Sequence, residues 1–251
     1  MKDQVLAVLQ ARMSSSRLAG KVMALVNDKP VIYWQIKRIL KSKYIDNLVV
    51  VTSTDGSDDV LSNYLASEGI DVHRGSLENV FSRFLEVTNK YNPSSIVRLT
   101  ADCPLIMPQV IDLVIEAGSK SKCDYLSNTL IPSFPDGLDT EYVSRRAIEA
   151  LSKLNLTQQE KEHVTLGIYG RADIFEVQNY MNDTDLGSYR WTLDTEEDLK
   201  FLRFVFTEFL NRELEFDLAD MLQLYKEFPE KFIMKPRASI TFPTIASIFK
   251  S

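Results

Sequence analysis

Short apolar runs rich in β-branched residues alternate along most of this chain with longer stretches in which apolar residues return every three or four positions. An apolar run without alternation is the mark of a strand buried on both faces, and strand patterns alternating with helix patterns place helices on both sides of one sheet. The expected fold is therefore α/β, a three-layer αβα arrangement around a mostly parallel sheet. Strands are expected at residues 5–10, 45–52, 70–73, 94–100, 124–128, 174–180 and 189–193. Helices are expected at 30–41, 58–67, 77–91, 108–117, 144–154, 158–169 and 196–211. The last of these has a start signal, since Thr195 can cap it with Asp198 three residues on. The helix at 77–91 is the clearest, with Val80, Phe81, Phe84, Leu85 and Thr88 along one side.

The turn-rich interval 132–137 interrupts this alternation. No internal repeat or low-complexity linker divides the chain, so the expectation is one domain over 1–233, a protruding subregion near 130–185 and an irregular tail at 234–251. That tail holds basic residues and two prolines but no acidic residue. Disorder and pairing with another subunit are both open for it.

Composition narrows the function. The chain has 251 residues, 45% of them hydrophobic and 25% charged, with a formal net charge of -6. That balance fits an ordinary soluble protein and argues against a general nucleic-acid or anionic-membrane surface. No stretch has the uninterrupted apolar length of a membrane span, and the start lacks a signal peptide's basic and long apolar segments, so a cytoplasmic protein without membrane insertion is expected. The two cysteines, Cys103 and Cys123, are too few for a metal knuckle and read as small packed residues. His73 reads as structural.

Against this acidic background the first strand ends in an exception. Residues 5–26 contain no carboxylate, yet they carry Arg12, Arg17 and Lys21 among serines and a glycine. Open α/β sheets bind ligands beyond the C-terminal ends of their strands. Backbone N–H and serine O–H groups there can join the cations in holding phosphate, although solvated loop charges are the plain alternative. Asp102 and Asp194 each follow a strand-like segment and so belong at the same rim. Paired with phosphate oxygens, two such carboxylates suit Mg²⁺, whereas each taken singly reads as a turn or cap residue.

Five segments carry a resemblance. Gln10-Ala-Arg-Met-Ser-Ser-Ser-Arg-Leu-Ala-Gly-Lys21, Thr100-Ala-Asp-Cys-Pro-Leu105, Phe134-Pro-Asp-Gly-Leu-Asp-Thr-Glu141, Glu162-His-Val-Thr165 and Arg190-Trp-Thr-Leu-Asp-Thr-Glu-Glu-Asp-Leu199 together resemble the SpsF-like cytidylyltransferases. These are relatives of the synthetases that make CMP-activated 3-deoxy-manno-octulosonate and acylneuraminate. The resemblance covers roughly residues 4–210 and leaves out the tail. It implies a glycosyltransferase-A-like nucleotidyltransferase fold and transfer of CMP from CTP to a sugar, sugar acid or similar small acceptor, with release of pyrophosphate, for surface polysaccharide synthesis.

The resemblance also implies roles. Ala11, Arg12, Ser14, Arg17 and Lys21 fall on the triphosphate-binding loop, Asp102 and Asp194 on the metal positions, and Arg12, Lys21 and Asp102 on the catalytic ones. Two departures stand out: Ala19 replaces the proline of the usual RLPGK, and Ala101 the glycine before the metal aspartate. Asn79 and Arg83, one helical turn apart, are candidates to face the nucleotide or merely solvent. Asp136, Asp139, Glu141, His163 and Arg190 are candidates for the acceptor, with solvated loop and helix positions as their alternative. Arg98, a cation on an apolar strand, needs a partner. Related enzymes are often dimers, and Phe201, Phe204 and Phe206 would either supply such a contact or pack inside. The rival functions are a nucleotide-sugar glycosyltransferase, whose usual Asp-x-Asp is absent, and a non-catalytic nucleotide-binding protein.

Overall fold

In a computed structural model, residues 4–212, 215–235 and 237 are described. The first strand, β1 (Val5–Gln10), leads through a loop and a small hairpin, β2 (Leu25–Val26) and β3 (Lys29–Pro30), into helix α1 (Val31–Ile39). Next come β4 (Asn47–Ser53), α2 (Asp59–Ser67), β5 (Asp71–Gly75), α3 (Val80–Tyr91), β6 (Ser95–Thr100), α4 (Pro108–Ser121) and β7 (Tyr125–Ser127). The second half holds β8 (Glu141–Ser144), α5 (Arg145–Leu151), α6 (Gln158–His163), α7 (Leu166–Tyr169), β9 (Val177–Asn179) and β10 (Tyr189–Arg190). It ends with α8 (Glu196–Glu208), α9 (Leu218–Glu227) and β11 (Ile233–Met234).

Seven strands make one sheet in the order β5-β4-β1-β6-β8-β7-β9. All neighbouring pairs are parallel except those of β8, which runs antiparallel to both β6 and β7. The period-two geometry of β1 divides the core. Leu6 and Val8 pack on one face with Phe84 and Val87 of α3 and Ile148 of α5. Val5, Ala7 and Leu9 pack on the other with Ile32 and Ile36 of α1, Leu61 and Leu65 of α2, and Ile111 and Ile115 of α4. Burial on both faces explains the run without alternation from which the strand was expected.

The expected elements recur with shifted ends, and four features differ. β8 follows the turn-rich stretch and carries Glu141, a charge that hides its strand character, and with β9 it brings parts of 130–185 into the sheet. The helix expected over 158–169 is broken into α6 and α7 at Val164, whose φ is 47° and ψ -76°. The strand expected at 189–193 pairs only through Tyr189 and Arg190, with Met234 and Ile233 of β11, outside the large sheet. Helix α9, capped by Asp217 and Asp220, adds to the expected set. The tail thus begins by pairing within its own chain; its residues 236 and 238–251 lie outside the described residues.

Phe201 and Phe206 are buried, and Phe204 packs edge-on against Phe228. Of the two readings for these aromatics, internal packing is the one found. They join Trp191, Leu193, Leu202 and Phe216 in a cluster beneath α8 and α9. Cys103 and Cys123 are buried free thiols. Among the described residues, no helix is long and apolar enough to cross a membrane.

Helix α4 lies close to the sheet because Gly118 has no side chain. A Cβ there would stand 2.5 Å from a ring carbon of Tyr142 on β8. Gly118→Ala is therefore expected to lower the unfolding free energy by about 1–3 kcal/mol through overpacking, measured by urea denaturation, whereas Gly69→Ala, with open space around it but φ at +72°, strains only its own turn.

Candidate active site at the sheet rim

Parallel register sets the site. Gln10 at the end of β1 is aligned with Val51 of β4 on one side and Thr100 of β6 on the other. Ala11 N–H donates to the Val51 carbonyl at 3.1 Å, and Ala101 N–H to the Gln10 carbonyl at 3.0 Å. The loops leaving β1 and β6 therefore depart side by side. Between them lies a cavity of about 250 Å³ lined by Gln10 to Arg12, Ser14 to Arg17, Lys21, Val22, Thr100 to Asp102 and Asp194. The cationic loop and both candidate metal aspartates share one wall system.

The loop is closed on itself. Gly20 N–H donates to the Met13 carbonyl at 2.9 Å and Lys21 N–H to the Leu18 carbonyl at 3.3 Å. Gly20 takes a φ of 71°, in the left-handed region where a Cβ is costly. Ala19 is exposed within this turn, which its neighbours' backbone bonds close without a proline. Ala101 is buried and is not among the residues of positive φ, so its position makes no demand for glycine's conformational freedom.

A residue that sequence reasoning missed anchors the loop from below. Asp58, just before α2, is 1% exposed. Its carboxylate accepts from Met13 N–H at 2.7 Å and from Ser53 N–H at 3.0 Å, and also from the Ser53 hydroxyl. Burial acts to raise its pKa, but these donors outweigh it and hold the carboxyl below its ordinary value. Its position after a strand and before a helix is that of an ordinary cap, which is why the sequence does not single it out.

Asp194 reaches the rim from the other side. Leu193 N–H donates to the Asp102 carbonyl at 2.8 Å, which ties the segment before α8 to the end of β6. The carboxylate of Asp194 then meets Lys21 Nζ at 2.9 Å, Arg17 at 2.8 Å and Arg190 at 3.2 Å. Burial opposes its charge, yet the Lys21 hydrogen bond and the three cations keep its pKa below the usual range. Asp102 is more open, its side chain 37% exposed, and accepts from the Thr100 hydroxyl at 2.6 Å. Lys21 Nζ lies 4.0 Å from Asp102, so a single ammonium stands near both carboxylates.

This donor set fits a hard divalent cation. Two carboxylates face a cavity with room for phosphate oxygens and water, and such an ion commonly takes only one or two protein carboxylates beside the substrate's phosphates. Among the described residues no group of three or more metal-ligating side chains exists that would form an all-protein cage.

A second cavity, of about 170 Å³, shares Thr100 with the first. Arg98, Tyr125, Thr129, Asp139, Glu141, His163, Thr165, Tyr169 and Arg237 complete its lining. Arg98 finds the partner it requires in Glu141, and it also donates to Gln10 Oε1 at 3.2 Å. Glu141 accepts in addition from the Tyr125 hydroxyl at 2.9 Å. Val164, a β-branched residue at positive φ, costs about 1–3 kcal/mol of strain and sits fully buried between His163 and Thr165, the two residues that reach the cavity.

Other candidates stand elsewhere. Asn79 caps α3 by accepting from Ser82 N–H at 3.1 Å, and Arg83 is buried with its guanidinium donating to the carbonyls of Ser76 and Leu77. Neither lines either cavity, although Arg83 is near enough to feel the charges of Arg12 and Asp58. Arg190, expected toward an acceptor, is instead held between Asp194 and Asp198 with its side chain 11% exposed. Asp136 touches Arg237 at 3.2 Å beside the second cavity, and burial pushes its pKa up. Arg237 had no sequence signal beyond its charge.

Known proteins resemble this chain over most of its length. The sequence profile of a family described as cytidylyltransferase matches residues 6–219. The spore coat polysaccharide biosynthesis protein SpsF of Bacillus subtilis is 33% identical over 81% of this chain and 87% of its own length. A 3-deoxy-manno-octulosonate cytidylyltransferase of Leptospira biflexa is 30% identical over 81% of this chain and 84% of its own. The solved structure of a cytidylyltransferase from Leptospira borgpetersenii superposes with a TM-score of 0.84 at 30% identity, covering 94% of this chain and 98% of that one. A CMP:2-keto-3-deoxy-manno-octonic acid synthetase solved with CTP, 17% identical and with a TM-score of 0.64 over 82% of this chain and 99% of that one, shares the fold.

Asp58 gives this site a pH signature. Because its pKa is lowered in the folded protein, the stability it contributes is present above the ordinary value of 3.8 and is lost as pH falls through the native value. Asp58→Asn is expected to cost about 2–3 kcal/mol at neutral pH and to flatten the acid limb of stability against pH, read by urea denaturation from about pH 3 to about pH 7.

Proposed function

The chain belongs to the cytidylyltransferase family, and from that premise we propose that it transfers CMP from CTP to a hydroxyl of a sugar or sugar acid, in the cytoplasm, for surface polysaccharide synthesis. The observation that carries this reading is the shared rim cavity, where Arg12, Arg17 and Lys21 stand opposite Asp102 and Asp194. One half of such a site suits a triphosphate and the other a divalent cation.

In the proposed reaction a hydroxyl oxygen of the acceptor attacks the α-phosphorus of CTP and releases its proton to solvent. The bond from that phosphorus to the bridging oxygen breaks, pyrophosphate leaves with the electron pair, and CMP remains on the acceptor. Positioning and electrostatics supply most of the catalysis in transfers of this kind. Arg12 and Arg17, both exposed at the cavity, and the backbone and hydroxyl donors around Ala11 and Ser14 would hold the triphosphate. Lys21, fixed by the Leu193 carbonyl at 2.7 Å, would donate to phosphate oxygens as charge moves onto the leaving group. Mg²⁺ is the ion we assign, with Asp102 and Asp194 to hold it; when bound, it neutralises phosphate charge. The second cavity, joined to the first at Thr100, would take the acceptor, with Asp139, Glu141 and His163 in its walls.

Purified protein with CTP and Mg²⁺ is expected to release pyrophosphate with at least one member of a panel of sugar acids and neutral sugars that includes 3-deoxy-manno-octulosonate. UTP, GTP and ATP should replace CTP poorly. Asp102→Asn should lower kcat by about 10²–10³-fold or more, and full activity in that variant would sink the metal assignment.

A further inference from the structure

The second cavity is completed by a residue from outside the family-matched segment. The family match ends at residue 219, within α9, and the chain goes on to β11, which pairs with β10. The pairing is prolonged by Lys235 N–H to the Ser188 carbonyl at 2.7 Å and Arg237 N–H to the Gly187 carbonyl at 3.4 Å. That ladder carries Arg237 to the cavity wall. There its two terminal nitrogens grip the two oxygens of Asp139 at 2.7 and 2.8 Å, and one of them also meets Asp136 at 3.2 Å. The Arg237 and Asp139 side chains remain 28% and 22% exposed, toward the cavity they line.

Such a fork has consequences. A bidentate arginine holds a carboxylate in one plane and leaves its remaining lone pairs at fixed directions for hydrogen-bond donors. The rest of the lining supplies hydroxyls from Thr100, Thr129 and Thr165 and a second carboxylate, Glu141, clamped in turn by Arg98. Two clamped carboxylates among hydroxyls match a ligand dense in hydroxyl groups.

We propose that Arg237 is a positioning residue for acceptor binding: it fixes Asp139 so that the remaining lone pairs of that carboxylate take hydrogen bonds from hydroxyls of a polyhydroxylated acceptor. The stretch that carries Arg237 along β10 is in this way a structural part of the acceptor cavity. The inference rests on reading the second cavity as the acceptor site.

The test is steady-state kinetics with CTP, Mg²⁺ and 3-deoxy-manno-octulosonate, or whichever sugar of the panel releases most pyrophosphate. Arg237→Ala and Arg237→Lys are both expected to raise the acceptor KM by about 10–100-fold while the CTP KM moves less than about twofold, because lysine keeps the charge and loses the fork. Asp139→Asn should cause a similar rise, and Asp139→Asn combined with Arg237→Ala should be no worse than Asp139→Asn alone. Wild-type kinetics in Arg237→Lys, parallel rises in both KM values, or additive losses in the double variant would each overturn the proposal. Wild-type protein that binds CTP in calorimetry yet turns over no panel member overturns the acceptor reading itself, and this inference with it.

Discussion

The parallel register of β1 between β4 and β6 is the constraint on which the rest of the structure depends. With Gln10 level with Val51 and Thr100, the chain leaves two adjacent strands at one height, and Ala11 and Ala101 continue the ladder by one bond each before the loops diverge. Shifting either pairing by one residue would turn Leu6 and Val8 toward the α1–α2–α4 layer and Val5, Ala7 and Leu9 toward α3 and α5, so packing on both faces locks the alignment. The cationic loop and Asp102 are placed by that lock rather than by contacts with each other. Asp58 and the Leu193-to-Asp102 hydrogen bond then fasten the loop and the Asp194 segment to the same frame.

The charge of Asp194 at the rim is met by cations of its own chain. Asp194 is surrounded by Lys21, Arg17 and Arg190, and Arg190 is itself held by Asp198, which caps α8 together with Thr195. A helix start, an ion-pair network and a candidate metal ligand thus share two carboxylates. On the proposed reading, phosphates would give Arg17 and Lys21 further anionic partners, and a divalent ion would join the three cations already at Asp194.

Most of the sheet and its helices were legible because their signals are local: β-branched runs, helical spacing in α3, the Thr195–Asp198 box. The gathering of Arg12, Arg17, Lys21 and Asp102 at one rim cavity was legible for a related reason. Arg12, Arg17, Lys21 and Asp102 all lie within a short stretch after a strand, where position follows directly from the strand itself. What escaped depends on distant contacts. Asp58 matters through Met13, 45 residues away, and Arg237 through Asp139, 98 residues away. Arg190 is held by Asp198 in the first turn of α8, a pairing that the sequence reading did not anticipate. Arg83, read as a polar helix face, proved buried, its charge met by backbone carbonyls that no periodicity reveals. Nor does periodicity announce the positive φ of Val164.

These two kinds of legibility divide the active site along a physical line. The cavity assigned to the triphosphate is built from strand ends and the first turns after them, so its geometry is inherited from the sheet. The cavity assigned to the acceptor gathers Arg98, Thr129, Glu141, His163, Thr165 and Arg237 from five separate segments. Its shape rests on ion pairs, a strained valine and a two-residue strand. Thr129, His163, Thr165 and Arg237 lie off the large sheet, so that part of the wall can vary while the loops at the ends of β1 and β6 keep their places.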